Sequence, residues 1–101
     1  MKLLIVTAVK SYEKQALKLF EKAGILAFSN TDINGFKALD KENLMNNWFS
    51  NSNQHVKSVL FFSFCEEDKI NRLLKELELL NMVLESENPL RAIVLNIEKF
   101  Q

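Results

Sequence analysis

Asn34-Gly35-Phe36 opens the stretch that decides how this chain is organised, a polar loop running from about residue 37 to His55. The loop holds five asparagines (Asn43, Asn46, Asn47, Asn51 and Asn53) and the only tryptophan, Trp48, directly before Phe49. Loops of this length without regular structure are uncommon in compact domains and are often functional. Asp40-Lys41-Glu42-Asn43 could start a short helix with Leu39, Leu44, Met45 and Trp48 on one side. The alternative is that residues 44–49 form one arm of a longer hairpin. On either side of the loop the sequence reads strand, helix, strand.

Upstream, residues 3–9 form a short apolar run rich in β-branched Ile5, Val6, Thr7 and Val9, which predicts a buried strand. Ser11 is the expected N-cap of a helix. Tyr12, Ala16, Leu19, Phe20 and Ala23 follow at helical spacing, with Glu13, Lys14, Lys18, Glu21 and Lys22 on the other side. Gly24 supplies the position after the helix that favours positive φ. A second strand is expected over about 25–33, although asparagine and aspartate disfavour strands.

Downstream, residues 56–64 with Phe61, Phe62 and Phe64 predict a third strand. Glu66, Glu67 and Asp68 place acid on the first turn of a second helix, which suits the helix dipole. Ile70, Leu73, Leu74, Leu77 and Leu80 mark its apolar stripe. Asp68–Arg72 and Arg72–Glu76 are spaced for ion pairs on the wet face. Residues 81–88 read as a linker with a short extended piece at Met82, Val83 and Leu84. Pro89 closes it, and residues 90–97 form the fourth strand.

A chain of 101 residues makes one domain, here residues 1–101. Thirteen basic and thirteen acidic residues cancel, which argues against a broad nucleic-acid surface. The single cysteine, Cys65, excludes an internal disulfide and fits a reducing compartment. The opening apolar run is too short for a membrane span and is broken by Lys10 and Ser11. These features predict a soluble cytoplasmic protein without membrane insertion.

The order β-α-β, loop, β-α-β is that of the ferredoxin-like split-βαβ arrangement, an α+β fold with a four-stranded antiparallel sheet and both helices on one face. Both faces of that sheet are apolar. Leu3, Ile5 and Val9 alternate with Leu4, Val6 and Ala8 in the first strand. Val59 and Phe61 alternate with Leu60, Phe62 and Phe64 in the third, and Ala92 and Val94 with Ile93, Leu95 and Ile97 in the fourth. Two helices cover only one face, and a half-solvated sheet should alternate apolar with polar. Self-association through the open face is the expectation.

Three stretches together resemble the PII signal-transduction superfamily. They are residues 1–24, Thr31-Asp32-Ile33-Asn34-Gly35-Phe36, and Arg91-Ala92-Ile93-Val94-Leu95-Asn96-Ile97-Glu98-Lys99. The resemblance implies a homotrimer with sheets facing inward and a non-catalytic regulatory protein, associated with nitrogen regulation or transporter regulation. It implies a small effector, a nucleotide or anion, in clefts between subunits beside Gly35, Phe36, Lys37, Lys57 and Arg91. It further implies a partner-contact loop at 37–55, with Leu44, Met45, Trp48 and Phe49 as anchors and a membrane transporter as one candidate partner. The chain departs from the family at two places. The Gly-Phe pair is followed by Lys37-Ala38-Leu39, where the family has Gly-Arg-Gln. The family's glycine-rich phosphate loop is replaced by Glu85-Ser86-Glu87-Asn88-Pro89-Leu90-Arg91. A phosphate cradle needs backbone N–H groups in a turn that glycine permits. Pro89 removes one donor and Glu85 and Glu87 repel phosphate, which argues against ATP held in the family's manner.

CutA-type divalent-cation tolerance proteins share the trimeric fold, and Trp48-Phe49 is similar to their aromatic hairpin. They supply the alternative, a metal-binding role with His55 and Cys65 as candidate ligands. Those two, with Met45 and Met82, are widely spaced and include no close ligand pair. No nucleophile–base pair is visible, and there is one histidine, so an enzyme is not expected.

Overall fold

The structure is a computed structural model and describes residues 1–36 and 55–101. The helix or hairpin arm expected within 37–54 lies outside the described residues, as do Lys37, Leu44, Met45, Trp48 and Phe49.

The elements run β1 (Lys2–Val9), α1 (Glu13–Lys22), β2 (Ser29–Phe36), β3 (His55–Cys65), α2 (Glu67–Leu84) and β4 (Arg91–Asn96). The sheet order is β2-β3-β1-β4, with antiparallel neighbours throughout. β3 therefore lies between β1 and β2, and β1 lies between β3 and β4. This is the predicted ferredoxin-like arrangement.

Side-chain alternation divides the sheet. Leu4, Val6 and Ala8 of β1 and Val59 and Phe61 of β3 are buried with Ala16, Leu19 and Phe20 of α1 and Ile70, Leu73 and Leu77 of α2. Phe20 is the hub of this layer, stacked on Phe28 at 4.5 Å and tilted against Phe61 at 5.3 Å between ring centroids. The opposite face is apolar and, among the described residues, uncovered. Ile93, Leu95 and Phe64 there are 52%, 46% and 48% exposed. Phe100, beyond β4, sets its ring edge-on to Phe64 at 5.8 Å.

Several boundaries differ from expectation, each for a local reason. Ser11 does not cap α1. The chain first makes a 3-10 turn over Lys10–Tyr12, and Tyr12 precedes the helix without a side-chain cap bond. In that turn the Lys10 amine donates to Glu13 Oε2 at 2.7 Å and to Asp32 Oδ1 at 2.8 Å, tying the helix start to β2. Gly24 behaves as predicted, with φ +74°. The Ile25 N–H donates to the Phe20 carbonyl and the Gly24 N–H to the Glu21 carbonyl, a Schellman ending that buries Ile25. That ending occupies the residues expected to begin β2, so the strand starts at Ser29 and continues to Phe36. β2 is an edge strand whose Asn30, Asp32 and Asn34 are exposed, which is why its polar sequence is tolerated.

The linker expected over 81–88 is corrected in its first half. α2 continues to Leu84, because Leu80 and Leu84 still pack on the core and Met and Leu favour helix. It stops at Glu85, which takes the left-handed conformation with φ 47° and ψ 37°. A glycine usually marks that position, and its absence hides the helix end in the sequence. The pairs Asp68–Arg72 and Arg72–Glu76 are not formed among the described residues. The acids at the start of α2 are drawn to the chain terminus, with Glu66 3.6 Å from the Met1 amine and Glu67 3.5 Å from Lys2.

Candidate functional site

The base of the 37–55 loop lies at one end of the sheet, where the last residues of β2 meet the first of β3. Gly35 faces Val56 and Phe36 faces His55 in the ladder. A Cβ on Gly35 would lie 3.6 Å from the Val56 carbonyl oxygen and 3.7 Å from Ser58 Oγ, ordinary contact distances, so space alone does not demand glycine there.

Across β1 from this corner, Arg91 opens β4 opposite Thr7. The turn before it brings Asn88 and Pro89 alongside. Gly35, Ser58, Thr7, Asn88 and Arg91 thus border one recess of about 290 Å3, with Glu87 at its rim. Its chemistry is one guanidinium, two hydroxyls, one amide and one carboxylate. That set suits a small anion better than a polyphosphate, because Glu87 opposes added negative charge and Pro89 contributes no N–H.

The segment that carries Asn88 is fixed internally. The Asn88 N–H donates to Ser86 Oγ at 3.0 Å. Asn81, in the last turn of α2, bonds the Leu90 backbone at both its N–H and its carbonyl. Leu90 is itself buried. The recess wall is therefore held by a helix rather than by a glycine turn.

Lys57 takes a different position. Side chains alternate across a strand. Ser58 shares a face with Leu60 and Phe62, so Lys57 stands on the helix side with Val59. There it lines a neighbouring hollow of about 410 Å3 with Lys10, Asp32 and Asn34. The two hollows share Ile33 and Ser58. Within the chain Gly35 and Arg91 come together, and Lys57 does not join them. The side chains of Phe36 and His55 lie outside the described residues. Thr7, Ser58, Asn88, Lys10 and Asp32 were not singled out in the sequence. Strand register, which only the paired sheet supplies, places Thr7, Ser58 and Asp32, and the turns before β4 and before α1 bring in Asn88 and Lys10.

Lys10 is held by two carboxylates. Its hydrogen bond to Asp32, then that to Glu13, raises its pKa above the ordinary lysine value. Both contacts are exposed to solvent, so they link β2 to the start of α1 only weakly.

Cys65 is buried at the end of β3. Burial pushes its thiol above the ordinary range, against the opposing pull of Ser63 and Lys69. It is a core residue with little thiolate character. Among the described residues, no group of three or more His, Cys, Asp or Glu side chains converges as a metal site. Among them also, no helix is long and apolar enough to cross a membrane.

Comparison by sequence finds no family profile and no curated protein that matches the chain. Comparison by structure finds close likeness. A PII-like signalling protein from Thermus thermophilus superposes with a TM-score of 0.65 at 16% identity, over 95% of this chain and 85% of that one. CPII, a nitrogen regulatory PII-like protein from Thiomonas intermedia bound to ADP, AMP and bicarbonate, gives 0.62 at 10% identity, over 99% of this chain and 94% of that one. CPII bound to ADP, AMP and acetate gives 0.58 at 13% identity, over 99% and 88%. The chain has the fold of the PII-like signalling proteins, as its Gly35-Phe36 corner and its fourth strand imply.

Proposed function

We propose that this chain is a non-catalytic PII-like regulatory protein that binds a small effector at the loop base and a protein partner through the 37–55 loop. The observation that carries the reading is the meeting of Gly35 and Arg91 in one recess at the foot of that loop. The recess opens at the edge of the uncovered apolar face, where a second subunit would complete it. Three copies joined through that face form the proposed homotrimer. The effector is an adenine nucleotide with few phosphates, or a small oxyanion such as bicarbonate, in line with the ligands named for CPII. Lys57 lines the neighbouring hollow on the helix side, outside this recess. Leu44, Met45, Trp48 and Phe49 are the proposed partner anchors, since aromatic and Met side chains dominate interfaces. A membrane transporter, in a nitrogen-related or other transport context, is the proposed target, and the cytoplasm the proposed location.

Isothermal calorimetry with AMP, ADP, ATP and bicarbonate tests the effector. Binding of AMP or ADP, strengthened by bicarbonate and weakened at least tenfold by Arg91→Ala, is expected. An assembled protein that binds none of them would overturn the effector reading. Deletion of residues 43–53 should abolish partner capture while leaving effector binding in place.

A further inference from the structure

Every described strand residue on the open sheet face is apolar, glycine, serine or threonine, with one exception, Arg91. Alternation along β4 puts Arg91 on that face with Ile93 and Leu95. Register then fixes its neighbours. Arg91 pairs with Thr7, and Thr7 on its other side with Leu60. The next row along the same face is Ile93, Ile5 and Phe62, two residues and about 7 Å away. The one charge of the face thus borders its apolar centre and at the same time lines the recess at the loop base.

Arg91 is exposed in the single chain and joins no ion pair among the described residues. Glu87 lines the same recess, but it belongs to the turn before β4 and not to the sheet face. A guanidinium cannot shed its charge to escape burial. Copies packed through this face would take Arg91 out of water, and each further copy of the face brings another arginine and no carboxylate. A charge buried without a counter-charge opposes the contact that buries it. The recess offers a way out, since the Thr7 and Ser58 hydroxyls and the Asn88 amide can share with Arg91 the oxygens of a small anion.

We infer that an oxyanion bound at Arg91 is the counter-ion that allows copies of this chain to close through the open face, so that occupancy of the recess and assembly drive one another. The inference rests on the effector and trimer reading above and adds the coupling between them. A ligand that binds the assembled form better than the single chain shifts the equilibrium toward assembly. The coupling is reciprocal, so the assembled form also holds the anion more tightly. Without the anion Arg91 is a brake on assembly, and with it Arg91 is part of the contact.

Sedimentation velocity of the full chain over nanomolar to micromolar concentrations tests the coupling. The buffers are sodium chloride, sodium bicarbonate, and sodium chloride with AMP, at one pH and equal ionic strength. The half-assembly concentration should fall at least tenfold with bicarbonate or with AMP. The one that acts shows whether the free oxyanion or the nucleotide phosphate is the counter-ion. Arg91→Leu, which keeps the bulk and removes the charge, should assemble in chloride alone and gain nothing from either anion. Arg91→Lys, which keeps the charge, should keep the requirement. Should assembly persist at the lowest concentration, exchange of subunits between two dye-labelled batches should slow at least tenfold on adding the anion. A trimer whose mass and exchange ignore both anions would overturn the coupling and leave the trimer reading standing. Arg91→Leu and the unaltered chain both remaining single in every buffer would overturn the trimer reading and this inference together.

Discussion

The Asn81 side chain clasps the backbone of Leu90 from both sides. Its Nδ2 donates to the Leu90 carbonyl at 2.9 Å and its Oδ1 accepts from the Leu90 N–H at 2.9 Å. One side chain thus does for Leu90 what a neighbouring strand would do, and it fixes where β4 begins. Asn81→Leu leaves both backbone groups unpaired in a part-buried site, which should lower stability by about 1–3 kcal/mol. Urea denaturation measures the loss. Hydrogen exchange should show the Leu90 amide losing protection first, and unchanged protection there would count against the clasp.

The uncovered sheet face gives a second expectation. Phe62 and Ile93 flank Ile5 on adjacent strands, in the centre of that face. Phe62→Lys with Ile93→Lys places two charges where a partner sheet would pack. Neither residue belongs to the buried core, so the chain should keep its circular dichroism spectrum while light scattering reports loss of the proposed trimer. An unchanged mass would show that assembly uses another surface.

Gly24 isolates a backbone effect. A Cβ built there meets nothing closer than Arg72 Nη1 at 4.0 Å, so there is room for a methyl group. The cost of Gly24→Ala comes from its φ of +74° alone and should be about 1–2 kcal/mol. A stabilising outcome in thermal unfolding would contradict the Schellman ending described for α1.

Cys65 sets an alkaline limit. Its folded thiol titrates above the ordinary range, chiefly because it is buried. As pH rises past the ordinary thiol value of about 8.5, the unfolded chain loses its proton first. The native state then binds more protons than the unfolded one, so stability falls with rising pH until the folded thiol also ionises. Cys65→Ala should flatten this decline between about pH 8 and the onset of lysine titration. Iodoacetamide should react slowly with the native protein and quickly in urea. Rapid native alkylation would mean that the thiol is exposed.

Local pattern made much of this molecule legible. The stripe Ala16, Leu19, Phe20 and Ala23 located α1, Gly24 located its end, and the double alternation in β1, β3 and β4 announced an apolar sheet with an uncovered side. These are properties of period and of single-residue φ preference, which sequence records directly. Where the pattern failed, a partner distant in sequence had taken over. Glu85 ends α2 without a glycine, and Leu80 and Leu84 carry the helix past its expected end by packing on the core. Lys10 reaches Asp32 and replaces Ser11 as the anchor of the first helix. The site shows the same division. Gly35, Lys57 and Arg91 could be named from the chain, but which face each occupies depends on register. A shift of one residue carries a side chain through the sheet. Pairing sets Gly35 and Arg91 together and puts Lys57 on the other side, and no composition or spacing within one strand contains that information.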